Sequence, residues 1–261
     1  MRRVRLFEPL FELPDAISPY LRNATLYDSS CSPEARVVFI DKDCGFYLKT
    51  AKKGSLKSEA EMTDYFHKKS LSAEVVEYIS NESDYLLTSR IKGEDCTNPM
   101  YIDDPKRLCD TLAMLLRELH ETSYDCCPVM NRCERYLQTV DQNYKNGIFD
   151  PSYMTAELSS LTASEAYAYV QNGKVSLKND VLLHGDYCLP NIMLDNWKLS
   201  GFIDLGNGGV GDRHIDIFWG AWTLNFNLKT DIYRERFYDA YGRDKIDSEI
   251  INLVSAAEAF G

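Results

Sequence analysis

The stretch from Leu182 to Asp216 constrains this chain more than any other. It opens L-L-H-G-D-Y-C-L-P-N over residues 182–191, with Asp186 and Asn191 five positions apart and His184 two before the acid. A span so rich in turn-forming residues reads as a short irregular loop. I-M-L-D (192–195), a turn at Asn196-Trp197-Lys198 and L-S-G-F-I-D (199–204) then alternate as the two strands of a hairpin. That hairpin returns Asp204 beside Asn191. A set of turn carboxylates and caps is the competing reading for each residue alone. The joint spacing over the whole stretch argues against it.

The rest of the chain arranges itself around this stretch. Arg36 to Ile40 is a β-branched and aromatic run, Asp41 to Gly45 a turn, and Phe46 to Thr50 a second strand. Leu56 to Lys69 reads as a helix with Met62, Tyr65 and Phe66 on one face. Val75 to Ile79 and Tyr85 to Ile91 read as two further strands. Beyond Gly93 the texture is helical. Asp103 and Asp104 are candidate caps before Pro105, and Leu108, Leu112, Leu115, Leu116 and Leu119 form a core-facing stripe. Weaker helical patterns cover Arg132 to Tyr144 and Ala163 to Val170. Phe202 to Gly211 ends glycine-rich and loop-like, and helices resume over Ile215–Leu224, Ile232–Tyr241 and Ser248–Phe260. The expected fold class is α+β in two lobes joined near Ser89 to Gly93. Residues 1–90 are the β-rich lobe, an antiparallel sheet with one helix, and residues 91–261 the mostly helical lobe carrying the loop.

Composition narrows the partners. The 261 residues carry a formal net charge of −11, which argues against nucleic acid and is compatible with a cationic ligand or with solubility alone. No run approaches the roughly 20 apolar residues of a membrane span. Met1-Arg2-Arg3 is followed by Glu8, Glu12 and Asp15 without an apolar region, so no signal peptide is expected. The eight cysteines form no C-x-x-C pair and have no histidine cluster beside them. Thiols in a reducing cytoplasm are the expectation.

The chemistry follows from the loop. An Asp and an Asn five apart, preceded by His, match the kinase catalytic-loop template H-R-D-x-x-x-x-N. There the Asp reaches an acceptor hydroxyl and the Asn a metal on the nucleotide phosphates. Asp204, in I-D-L-G (203–206), stands where kinases carry D-F-G and would hold Mg²⁺ through hard oxygens. Lys49, on the second strand, is the candidate phosphate-contacting lysine, with Glu59 in the following helix as its partner. Lys52, Lys53 and Glu61 compete for these places, and surface residues are the plainer reading of all five. No G-x-G-x-x-G precedes Arg36. Ser32 is a candidate phosphate contact there, or a simple turn residue before Pro33.

These residues resemble the aminoglycoside phosphotransferase family within the choline-kinase-like branch of kinase folds, with the closest likeness to 3′-phosphotransferases. The resemblance covers almost the whole chain. It rests on S-P-E-A-R-V, Y-L-K-T, L-K-S-E-A-E-M-T-D-Y-F, Y-L-L-T-S-R-I-K-G-E-D, L-L-R-E-L-H, H-G-D-Y-C-L-P-N and S-G-F-I-D-L-G. It implies a protein-kinase-like fold, ATP or GTP with Mg²⁺, and a cationic small-molecule acceptor. Asp186 would be the catalytic base, Asn191 and Asp204 the metal ligands, and Lys49 with Glu59 the phosphate clamp. Thr88, Ser89, Arg90 and Ile91 would lie near the nucleotide base. Asp216 and His184 would brace the loop. Glu258 and Phe260 match the acidic C-terminal motif near the substrate. Asn207 stands where the family commonly has Arg, and Ala257 where it has an acid. Neither a membrane nor a nucleic-acid partner is expected, and the chain would act as a monomer or weak dimer. Kinases of other small metabolites, and a catalytically silent nucleotide-binding module, are the alternatives.

Overall fold

The computed structural model describes residues 3–7, 13–31, 33 and 35–261. In chain order the elements run β1 (Val4–Arg5), α1 (Ser18–Leu21), β2 (Thr25–Asp28), β3 (Ala35–Asp41), β4 (Phe46–Lys52), α2 (Lys57–His67), β5 (Val75–Ser80), β6 (Ser83–Ser89) and β7 (Glu94–Asp95). Then follow α3 (Pro99–Ile102), α4 (Pro105–Glu121), α5 (Arg132–Lys145), α6 (Ala163–Gly173), β8 (Val181–Leu183), β9 (Ile192–Asp195) and β10 (Lys198–Phe202). The chain closes with β11 (Gly209–Gly211), α7 (Arg213–Leu228), α8 (Arg234–Tyr241) and α9 (Ser248–Glu258).

Two compact units emerge. One holds residues 1–96 and 190–207, the other 97–189 and 208–261. In the first, an antiparallel sheet runs β1-β2-β3-β4-β6-β5. The hairpin of β3 and β4 sets its centre, with Val37 opposite Lys49 and Phe39 opposite Tyr47. Side chains alternate across the pleat, so one face buries Val38, Ile40, Leu48 and Leu87 and the other presents Lys49 toward α2. The segment 190–207 packs with this unit because β9 pairs with both β10 and β7. Asn196 and Trp197 both have positive φ, 51° and 67°, as a two-residue type I′ hairpin turn requires.

In the second unit α4 buries Leu108, Leu112, Leu115, Leu116 and Leu119, the stripe read from the sequence. Asp104 caps it by accepting the Arg107 N–H at 3.3 Å. The loop-like reading of residues 202–211 is corrected at its end, because Gly209–Gly211 pairs antiparallel with Val181–Leu183. The glycines permit it by close approach. A Cβ at Gly211 would lie 2.5 Å from Leu183, and one at Gly209 2.7 Å from Val129. Among the described residues, no helix is long and apolar enough to cross a membrane. All eight cysteines are thiols.

Candidate active site

In the first unit Lys49 lies mid-strand in β4, and its Nζ donates to Glu59 Oε2 at 2.8 Å and to Asp204 Oδ1 at 2.9 Å. The competing partners are placed elsewhere. Glu61 faces Lys57 at 3.8 Å, and Lys52 and Lys53 are exposed. Helical spacing explains the choice, since Glu59 shares the buried stripe of Met62 and Phe66 at i+3 and i+7. Burial opposes the charge on Lys49, but attraction to Glu59 and Asp204 outweighs it and raises the ammonium above its ordinary value. Burial is also the main cause that raises Glu59, with Lys49 opposing it.

Asp204 arrives through the β9–β10 hairpin. The Ile203 N–H donates to the Asn191 carbonyl at 3.0 Å, closing the hairpin stem between the two metal-ligand candidates. Asp204 has φ +60°, a left-handed conformation that costs an L-residue about 1–2 kcal/mol. Its side chain is half exposed while its Lys49 partner is 20% exposed. Among the described residues no group of three or more His, Cys, Asp or Glu is arranged to hold a metal. One carboxylate and one amide oxygen do suit Mg²⁺, which completes its shell with phosphate oxygens and water.

Of the candidate nucleotide-base contacts, Thr88 pairs with Tyr47 and Ser89 with Phe46 at the end of β6. The Ser89 N–H and hydroxyl are engaged with Glu74 at 3.0 Å each. The Ile91 side chain is buried, and its Cδ1 lies close against Gly201. Ser32 lies outside the described residues.

In the second unit β8 leads into His184, Gly185 and Asp186. The loop is built on Asp216 from α7, which is fully buried. Asp216 Oδ2 accepts the His184 N–H and Oδ1 the Gly185 N–H, both at 2.7 Å. His120 Nε2 approaches Asp216 Oδ2 at 3.3 Å, and His120 Nδ1 meets the Tyr241 hydroxyl at 2.8 Å. Further on, Leu189 N–H donates to Thr223 Oγ1 at 3.1 Å, and the Tyr187 hydroxyl to the Leu112 carbonyl at 2.9 Å. His184 is buried and its Nδ1 accepts the Asp186 N–H at 3.2 Å, a bond within the loop. Asp186 itself is partly exposed.

Glu258 is buried and not on an open surface. Its Oε1 accepts from the Tyr136 hydroxyl at 2.9 Å and from Trp219 Nε1 at 3.1 Å. Burial pushes its carboxyl up to about 7, the neighbouring charge of Asp186 adding to the shift and the two donors opposing it. Phe260 requires a correction. Its ring is wholly buried against Tyr144, Phe149 and Tyr167, so it is a core residue and not a substrate contact. Its aromatic character and its place after an apolar helical run are the ordinary marks of a core position.

Sequence reading passed over Thr223, His120, Tyr241 and the aromatic column Tyr153–Trp222–Phe226, stacked at 5.7 and 4.9 Å. One signal was available. Asp216, Trp219 and Thr223 fall at i, i+3 and i+7, so one face of α7 carries the loop's anchors and the Glu258 donor.

Residues 33–249 match the phosphotransferase enzyme family. The chain is 53% identical to a probable aminoglycoside 3′-phosphotransferase of Lactococcus lactis subsp. lactis (strain IL1403), over 96% of this chain and 95% of that protein. It is 32% identical to an aminoglycoside 3′-phosphotransferase of Niallia circulans over 68% of this chain and 67% of that one. Among solved structures, a type VIII aminoglycoside 3′-phosphotransferase superposes with TM-score 0.74 at 20% identity, covering 95% of this chain and 100% of that one. A Streptomyces rimosus aminoglycoside phosphotransferase in complex with ADP and streptomycin superposes with TM-score 0.68 at 20% identity, covering 86% and 90%. The chain therefore belongs to the phosphotransferase enzyme family and has the kinase-like fold of the aminoglycoside phosphotransferases.

Proposed function

We propose that this chain transfers the γ-phosphoryl group of ATP or GTP to a hydroxyl of an aminoglycoside or a related cationic, polyhydroxylated small molecule. The observation that carries the reading is Lys49 joined to both Glu59 and Asp204, in a chain 53% identical to a probable aminoglycoside 3′-phosphotransferase. Phosphoryl transfer asks little covalent chemistry of the protein and much positioning and charge neutralisation. Lys49 exchanges Asp204 for phosphate oxygens while Glu59 keeps its ammonium aimed. Asn191 and Asp204 would hold Mg²⁺, which would supply positive charge against the phosphates. Asp186 accepts the proton of the attacking hydroxyl, its loop held by Asp216 so that the carboxylate does not wander. Thr88, Ser89 and Ile91 border the nucleotide base, and Glu258 stands on the acceptor side as a buried acceptor for Tyr136 and Trp219. Residues 1–96 with 190–207 serve the nucleotide, and 97–189 with 208–261 the acceptor. The eight thiols fit a reducing compartment such as the cytoplasm.

The test is turnover with ATP and with GTP against aminoglycosides bearing or lacking a 3′-hydroxyl. Turnover confined to the 3′-hydroxyl compounds is expected. Asp186→Ala should lose roughly 10²–10⁴-fold in kcat with nucleotide affinity unchanged. Wild-type turnover in that variant would sink the assignment, and silence across the panel with nucleotide bound would move the acceptor to another metabolite.

A further inference from the structure

Helix α2 carries Glu59 at its third position, and its N-cap residue is Leu56, whose side chain cannot cap. In a capping box the acid at this third position turns back onto the N-cap N–H. Here Glu59 does not. Its Oε2 is on Lys49, and the Leu56 N–H donates instead to Asp84 Oδ2 at 2.9 Å. Asp84 lies on β6 between β4 and β5, opposite Ala51 and Ser80. Lys49 is opposite Leu86 in the same register, so Lys49, Leu86 and Asp84 share the sheet face that Leu56 and Ala60 of α2 cover.

Asp84 is fully buried, and its Oδ2 also accepts from the Tyr78 hydroxyl at 3.1 Å. A buried carboxylate without solvent persists only where donors converge on it. Burial opposes its ionisation, yet hydrogen bonding, with the Leu56 N–H and the Tyr78 hydroxyl both on Oδ2, holds it below the ordinary carboxylate range, while Oδ1 has no partner among the described residues.

We propose that Asp84 is a positioning residue for phosphoryl transfer: by taking the N-cap donor of α2 from the neighbouring strand, it leaves Glu59 committed to Lys49. The sheet thereby caps the helix that carries Glu59, and the same strand register that places Lys49 places the cap. Without Asp84 the Leu56 N–H is an unsatisfied donor within one helical turn of Glu59. The carboxylate of Glu59 is then divided between its own helix terminus and Lys49. The inference rests on the reading of Lys49 and Glu59 as the phosphate clamp.

A double-mutant cycle in the full-length enzyme tests it, read as affinity for a non-hydrolysable ATP analogue together with kcat and acceptor KM. Asp84→Ala is expected to weaken nucleotide affinity about tenfold and to lower kcat, with acceptor KM unmoved. In a Glu59→Gln background the same substitution should change nucleotide affinity by less than about twofold, because the pair it protects is already gone. Asp84→Asn keeps one accepting oxygen, should recover most of the loss, and replaces Asp84→Ala in the cycle if that variant does not fold. Equal losses in both backgrounds, or a lowered thermal midpoint with affinity and kcat unmoved, overturns the proposal. A Glu59→Gln single variant with unaltered nucleotide affinity overturns the clamp reading and the proposal with it.

Discussion

The two units hold their candidate groups by opposite means. In the first, three charged side chains hold one another, and the outermost, Asp204, is half exposed. In the second, the loop bearing Asp186 is tied by backbone N–H groups to a carboxylate with no solvent exposure at all. A cluster of exposed and half-buried charges can change partners when a polyanion arrives. A buried carboxylate with two backbone donors has no cheaper arrangement to go to. Under the proposed function, the first arrangement suits a group that binds and releases a polyanion and the second suits a side chain that must be held still.

The comparison breaks most easily at Asp216. Asp216→Ala strands the His184 and Gly185 N–H groups and the edge of His120 in a dry site. A loss of about 3–5 kcal/mol in denaturant unfolding is expected, together with turnover. A loss below about 1 kcal/mol would mean that the loop is held by something else.

Next in size is Glu258. Its carboxyl is raised from 4.5 to about 7, so the protonated form is the one the fold accommodates. The stability linked to it is full below about pH 4.5, falls as pH rises toward 7, and stays lost above. Glu258→Gln keeps an oxygen for Tyr136 and Trp219 and removes the titration. It should be more stable than wild type at pH 8 by about 2–4 kcal/mol and nearly equal at pH 4.5. Parallel stability curves for the two proteins across that range would refute the assignment.

The smallest stability effect is expected at Lys49, which sharpens the contrast. Lys49→Met should lower unfolding free energy by about 1–3 kcal/mol, less than Asp216→Ala, because the half-exposed Asp204 regains water while the buried Glu59 loses its partner. Nucleotide affinity should still fall at least about tenfold. A stability loss as large as that of Asp216→Ala would erase the distinction between the units.

Much of this architecture is legible in the sequence, and for local reasons. The hairpin of residues 36–50 announces itself by β-branched residues around a turn, and its register puts Lys49 mid-strand. Glu59 is separable from Glu61 by helical phase alone, since it falls on the stripe of Met62 and Phe66. The I-M-L-D to F-I-D alternation implies a hairpin, which the fold closes with a type I′ turn. Other features have no local signature. The β8–β11 pair joins two three-residue segments far apart in sequence, and glycines that look like loop are there to let backbones approach. Phe260 belongs to a terminal motif by pattern but to the core by packing. Asp84 looks like a turn residue after Asn81-Glu82-Ser83, and only its burial beneath α2 gives it a partner.

Local sequence sets the candidate groups and their short-range order: Lys49 and Glu59 on a strand and the next helix, Asp186 and Asn191 on one loop, Asp204 one hairpin later. These are set by intervals of a few residues, over which backbone geometry leaves little choice. Which acids are buried, and what each pairs with, was decided by tertiary contacts. Asp216 and Asp84 are buried onto backbone donors, Glu258 is buried and pushed toward neutrality, and Asp204 is left within reach of solvent. Burial and donor supply come from segments distant in the chain, and no local pattern encodes them.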